Sequence, residues 1–312
     1  MAVLEDVSSP PAAGLRPRGV SQRERWSRRL PLLPALIFVI VVTQVPFLVT
    51  LWYSFQNYFF NEPGGAHWTG ISNYKAVFTD PNFRSALWKS VTMTAISVIL
   101  AMVLGILLAV LLDKKFIGRG VVRTLIITPF LVMPAAAALI WSGPMLDPNF
   151  GLLNWLLEPF GVNHVAWLTT HAYGSVIVVM IWHWTPFMTL IVLAGLQGQA
   201  SDVLEAAKVD GANAWATFRE LTLPHLRPYI ELGVLLGTIY LVTAFDQVRL
   251  MTNGGPGTTT TTLPFYLYEQ GNSAFDIGGA AAAGVVTVVL TLIVASFALR
   301  MFARVFQFEE AK

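Results

Sequence analysis

Long apolar runs, separated by short polar segments, dominate this chain. A helix needs roughly 20 apolar residues to cross the hydrocarbon core of a bilayer. Six runs approach or exceed that length: Leu30–Phe55, Val91–Leu112, Val121–Trp141, Tyr173–Leu196, Tyr229–Val248 and Gly279–Phe302. They predict an all-α membrane protein with six transmembrane helices. The first run is too long for a cleaved signal peptide and lacks a small-residue cleavage site. Pro46 within it predicts a local kink, tolerable where neighbouring groups satisfy the freed carbonyl.

The polar segments divide into two kinds. Outer loops are aromatic or Gly/Thr-rich: Gln56–Ser90, Ser142–Ala172 and Thr252–Gly278. The second should form a short interfacial helix over Gly151–Leu157, and the third opens on tight turns at Asn253-Gly-Gly-Pro-Gly257. The last run begins with Gly278-Gly-Ala-Ala-Ala-Ala-Gly284, small residues that let another backbone approach, from this chain or from a partner subunit.

Composition agrees with this pattern. The chain is 55% hydrophobic and 12% charged with mean hydropathy +0.61, against roughly 25% charged in soluble domains. Cysteine is absent, which excludes disulfides and thiolate metal sites. The net charge of +2 says little, but its placement orients the chain. Sixteen of the 20 basic residues fall in the N-terminal tail (Arg16 to Arg29), the second-to-third loop (Lys114, Lys115, Arg119, Arg123), the fourth-to-fifth loop (Lys208, Arg219, Arg227) and the C-terminal end. Only Lys75, Arg84, Lys89 and Arg249 lie on the other side. The excess of basic residues marks the cytoplasmic side, so both termini and the fourth-to-fifth loop are expected there. Residues 1–29 read as a basic cytoplasmic tail, its first 20 residues without regular structure and Trp26 available to the membrane interface.

The loop Glu205–Pro224, EAAKVDGANAWATFRELTLP, is too polar and too broken to cross a bilayer. Asp202-Val-Leu-Glu205 fits an acidic capping box, with Glu205 reaching back to the start of a short helix. Asp210-Gly211 interrupts that helix, since Gly permits a sharp turn. A second short helix places Trp215, Phe218 and Leu221 on one face, and Pro224 and Pro228 should break the chain before the fifth span. Such a helix–turn–helix suits docking on a partner's groove. From the residues alone, a connector packed on its own bundle serves equally, and a capping box explains Glu205 without any partner.

The whole pattern resembles the EAA loop of bacterial ABC-importer permeases of the carbohydrate class. That loop has E-A-A, a Gly after three residues and Leu-Pro about a dozen residues later. Glu205, Ala206, Ala207, Gly211, Leu223 and Pro224 match, and Asp210 fits. The resemblance extends over nearly the whole chain. Asn149–Leu157 and Asn253–Tyr268 look like the first, MalF-like member of a permease pair. Leu112–Arg123 and Thr128-Pro-Phe-Leu-Val-Met-Pro134 look most like the sugar-alcohol (polyol) branch. The resemblance implies the type I ABC-importer permease fold, residues 30–312 forming the permease domain with a coupling loop at 198–228, in a bacterial inner membrane. It implies a second permease subunit, two ATPase subunits and an extracytoplasmic substrate-binding protein as partners, and no nucleic acid. The loop residues Glu205, Ala206, Ala207, Asp210, Gly211, Trp215, Phe218, Leu223 and Pro224 would then couple to the ATPases.

The chain has no G-x-x-x-x-G-K-[ST] phosphate loop, so ATP and Mg²⁺ are expected on the partner subunits, and no cofactor, metal or catalytic residue is expected in this chain. Ionisable groups within the spans are few. Glu231 is expected to favour a helix N-terminus, and Asp246 to pair with Arg249 at i, i+3 or to bond a polyol hydroxyl. His183 lies in Trp182-His-Trp-Thr-Pro186, and a packing role or an interhelical hydrogen bond accounts for it. Rings beside hydrogen-bonding groups are also what a neutral polyol needs. Because the resemblance places substrate contacts on the fourth and fifth spans, His183, Trp184, Phe187, Tyr240 and Asp246 are the substrate-pathway candidates. The competing classes fare worse. An ion-coupled carrier or channel favours mid-membrane carboxylates or inverted repeats. An intramembrane enzyme would show H-E-x-x-H or G-x-S-x-G, neither of which is present.

Overall fold

The computed structural model describes residues 32–310 apart from positions 63 and 163, with side chains described to position 300. The tail expected over residues 1–29 lies outside the described residues. The chain divides into two units, residues 1–49 and 50–312. The first contributes most of helix α1, Leu33–Tyr53, which contains Pro46. Within it Thr43 Oγ1 donates to the Val39 carbonyl at 2.7 Å.

The second unit opens with strands β1, Gln56–Asn57, and β2, His67–Trp68, paired antiparallel with Gln56 opposite Trp68. Then come α2, Ser72–Thr79, and α3, Pro81–Asp113. Asp80 caps α3 by accepting from the Asn82 N–H at 2.8 Å, and Pro81 occupies the first turn, where a missing N–H costs nothing. This cap starts the helix ten residues before the apolar run expected from Val91. Helices α4, Arg119–Leu131, and α5, Pro134–Ile140, follow. The expected third span, Val121–Trp141, is therefore not one rod: the chain bends by 99° at the break between them. Pro134 disfavours a helical residue before it and opens α5 instead of continuing α4.

The remainder is helical: α6, Leu152–Leu157; α7, Trp167–Thr170; α8, Ala172–Gln197; α9, Ser201–Val209; α10, Ala214–Thr217; α11, Leu223–Val242; α12, Asp246–Met251; α13, Leu263–Tyr268; and α14, Ile277–Glu310. Among the described residues, four helices are long and apolar enough to span a bilayer, namely α1, α3, α8 and α14, and the bent α4–α5 pair makes up to five. Helix α11 stands in place of the expected fifth span but begins six residues earlier and ends at Val242, not Val248. Pro224 and Pro228 do not break it: Pro224 sits in the first turn and the helix runs on through Pro228. Glu231 therefore lies two turns inside, where its Oε1 accepts from Arg227 Nε at 2.9 Å.

The larger core is the seam between α3 and α8. Ser97, Ala101, Gly105 and Ala109 recur every fourth residue on α3 and are buried, so the two backbones approach closely. Met102 of α3 and Met180 and Met188 of α8 fill the irregular space left beside them, joined by Leu226, Ile230 and Val234 of α11. A smaller core joins Val77, Phe83, Leu263 and Tyr266 to Ala282 and Ala283 of α14. The Ala run of the last helix is thus packed within this chain. Its start is pinned by Ile277 and Gly278 N–H groups on the Tyr58 carbonyl, at 2.9 and 3.2 Å. Tyr266 donates its phenol to Asp80 Oδ2 at 2.6 Å. Burial, then the Asp80 carboxylate, pushes that phenol well above its ordinary range, so it stays a donor.

Candidate functional site: a jointed loop and an aromatic array

Helix α8 ends at Gln197, and α9 starts at Ser201 after Ala200. No capping box forms at Asp202–Glu205. Asp202 lies inside the first turn, where its charge suits the helix dipole, and Glu205 is exposed. The cap that sequence reasoning missed is at the other end. Gly211 is left-handed (φ +79°), its N–H donates to the Lys208 carbonyl at 3.2 Å and the Ala212 N–H to the Ala207 carbonyl at 2.9 Å. Those two bonds and a left-handed Gly make a Schellman cap. Asn213 then caps α10 by accepting from the Ala216 N–H at 2.8 Å. The signal was present as D-G-A-N: a left-handed Gly followed two residues later by an N-cap residue.

Beyond the joint, Trp215 is 69% exposed and stacks on Phe218 with centroids 6.1 Å apart. The backbone widens through Phe218–Thr222 and enters α11 at Leu223-Pro224. The two feet of the loop are tied. His225 Nε2 donates to the Gly195 carbonyl at 3.0 Å, and a Cβ on Gly195 would meet Leu226 and Tyr229 at 2.7 Å. Ala207 alone of the E-A-A triplet is buried. The loop is therefore a polar arm with an aromatic face, jointed at Gly211 and held at its base by the crossing of α8 and α11.

The second group of residues surrounds the break between α4 and α5. Chain reversal there leaves the Val132 carbonyl outside either helix, and the buried His183 donates to it from Nε2 at 3.0 Å. His183 therefore holds the break. Its ring also lies 6.3 Å from Phe130 and 6.5 Å from Trp184, at the border of an array formed by Phe130, Trp184, Phe187 and Tyr240. Phe130 stacks on Phe187 at 5.1 Å and meets Trp184 at 5.7 Å, while Trp184 lies 5.4 Å from both Phe187 and Tyr240. Tyr240 is 58% exposed, so the array is open on that side. Phe130 is the member sequence reasoning left out, although it stands in the quoted Thr128–Pro134 motif.

Asp246 begins the separate helix α12, and its expected pairing with Arg249 is not formed. Arg249 Nη1 instead donates to Asn253 Oδ1 at 2.5 Å, and the guanidinium lies 5.1 Å from the Tyr268 ring centre. Three of the five candidates, Trp184, Phe187 and Tyr240, come together; His183 borders them while holding the backbone break.

Replacing His183 by Ala strands the Val132 carbonyl in a part-buried site. A loss of about 1–3 kcal/mol is expected, read as a lowered melting temperature of the detergent-purified protein. His183→Gln, which keeps a donor, should recover part of it.

Residues 101–307 match the model of a family described as "Binding-protein-dependent transport system inner membrane component". A probable ABC transporter permease protein, y4oQ of Sinorhizobium fredii, is 39% identical over 85% of this chain and 86% of its own length. The trehalose/maltose transport system permease protein MalF of Thermococcus litoralis is 34% identical over 86% of this chain and 91% of its own. A chain from the crystal structure of a bacterial alginate ABC transporter, in complex with an alginate pentasaccharide-bound periplasmic protein, superposes with a TM-score of 0.77 at 23% identity. The match covers 91% of this chain and 96% of that one.

Proposed function

Because the chain belongs to the family of binding-protein-dependent transport system inner membrane components, we propose that it is one of two permease subunits of an ATP-driven carbohydrate importer. It would cross the inner membrane six times, with α11 as the fifth crossing and both termini in the cytoplasm. The observation that carries the coupling role is the jointed loop. It presents Trp215, stacked on the half-buried Phe218, to solvent on the side where basic residues accumulate, and its base is clamped to α8 and α11.

ATP and Mg²⁺ belong to two ATPase subunits in this reading. Their closure moves the arm, and the Gly195 crossing passes that motion to α8 and α11. The same two helices carry Trp184, Phe187 and Tyr240, so the motor surface and the aromatic array share their supports. A sugar or sugar alcohol offers C–H faces to rings and hydroxyls to polar groups. We assign a small neutral carbohydrate, a polyol or a mono- or disaccharide, delivered by an extracytoplasmic binding protein. The trehalose/maltose name of one relative favours the disaccharide end of that range.

The test is reconstitution with the co-expressed ATPase, second permease and binding protein. Substrate-loaded binding protein should stimulate ATP hydrolysis, and labelled carbohydrate should enter vesicles only with ATP. Uptake driven by an ion gradient in the absence of the ATPase sinks the proposal. Trp184→Ala should lower uptake at least about tenfold, as truncating an aromatic anchor does, with ligand affinity of the binding protein unchanged. Unaltered uptake removes the array from the pathway.

A further inference from the structure

Helices α3, α4 and α8 leave two cavities that share Ile126. One, of about 410 Å³, is lined by apolar groups including Leu104, Leu108, Ile181 and Pro186. The other, of about 310 Å³, lies towards the Leu112 and Gln197 ends of the helices and adds Arg123 and Gln197 to an otherwise mainly apolar lining. Helix α8 lines the two cavities from Val178 to Gln197, a rise of about 28 Å, most of the roughly 30 Å hydrocarbon core. The cation stands at the Gln197 end.

Two arginines, one lining the polar end and one beside it, are short of acceptors. Among the described residues, Arg123 Nε is buried without a hydrogen-bond partner, and so is Arg119 Nε one turn earlier on α4. Among those residues Arg123 reaches the Leu112 carbonyl through Nη2, at 3.4 Å, and Arg119 reaches Asp113, at 3.8 Å. Buried N–H groups of a cation without acceptors are costly, and a phosphate supplies what they lack. The adjoining loop has the composition of a membrane surface. Lys114 and Lys115 are exposed, and beside them Phe116 is exposed and Ile117 fully so. Cations at headgroup level beside bare apolar side chains suit an anionic leaflet.

We propose that this composite groove binds one anionic phospholipid, its acyl chain along Leu104, Leu108 and Ile126 and its phosphate on Arg119 and Arg123. The proposal rests on the membrane reading above but not on transport, because retained lipid is measured on the purified complex without substrate. The full chain, purified in mild detergent with its co-expressed partners, is titrated with phosphatidylglycerol or phosphatidylcholine of matched chains and read by native mass spectrometry. The wild type should retain phosphatidylglycerol about tenfold more than phosphatidylcholine, as expected for two cations at a headgroup. Arg123→Gln should abolish that preference, Arg123→Lys should keep part of it, and Ile126→Trp, which fills the groove and leaves both arginines, should lose the bound lipid. Ile126→Trp decides the matter if Arg123→Gln fails to fold. Equal retention by wild type and variants overturns the proposal. So does displacement of the lipid by millimolar inorganic phosphate, which would identify a free-phosphate site, or cysteine crosslinking of position 126 to the second permease, which would show a helix in the groove.

Discussion

In the proposed importer, Gly211→Val is expected to leave assembly with the ATPase subunits intact and yet to lower substrate-stimulated ATP hydrolysis about tenfold or more. Space is not the reason, since nothing lies within 4 Å of a Cβ built at Gly211. The reason is the backbone. At φ +79° an L-residue pays roughly 1–2 kcal/mol, and a β-branched residue fares worse. Each 1.4 kcal/mol is about tenfold in an equilibrium. The Schellman cap would open in a corresponding share of molecules, and the arm carrying Trp215 would leave its direction. Gly211→Asn, which tolerates the left-handed region, should retain most of the stimulation. Wild-type stimulation in Gly211→Val would refute the coupling role proposed for the joint.

Gly105→Leu should have the largest effect on folding. A Cβ at Gly105 would lie 2.6 Å from the Met188 Cβ and 3.0 Å from two Met188–Thr189 backbone atoms. Those atoms belong to α8 itself and cannot swing aside, so α3 and α8 must separate along the core seam. Overpacking costs typically about 1–3 kcal/mol and occasionally more; a leucine at a backbone crossing belongs at the upper end. The measurement is the level of folded protein in membranes and its melting temperature in detergent. Gly174→Ala serves as the comparison, because nothing lies within 4 Å of a Cβ there, near the start of α8. A Gly105→Leu protein melting with the wild type would show that the seam is not closely packed.

What the sequence made legible was governed by length and composition. The α8 helix and the apolar part of α3 stand where their runs predict, because an apolar stretch of that length has few alternatives. Direction was illegible. Hydropathy is the same on both sides of Val132, so Val121–Trp141 reads as one span, although the proline at 134 makes α5 start afresh. The fifth span was misplaced because Pro224 and Pro228 were both read as breakers, whereas a first-turn proline is compatible with a helix. In the loop, the D-x-x-E spacing pointed to a cap at Asp202, but spacing does not say which backbone groups are already satisfied. The aromatic array was legible in type along α8, and only packing across helices brings Phe130 and Tyr240 to Trp184.

The joint at Gly211 is made entirely of main-chain atoms: the N–H groups of Gly211 and Ala212 and the carbonyls of Lys208 and Ala207. Alanine scanning across Glu205–Pro224 at every position but Gly211 removes side chains and leaves those bonds in place. Such a scan would credit the exposed Glu205 and Trp215 and overlook the cap between them. Replacing the peptide N–H of Ala212 by an ester oxygen, or following the deuterium uptake of these two amides during turnover, addresses the cap directly.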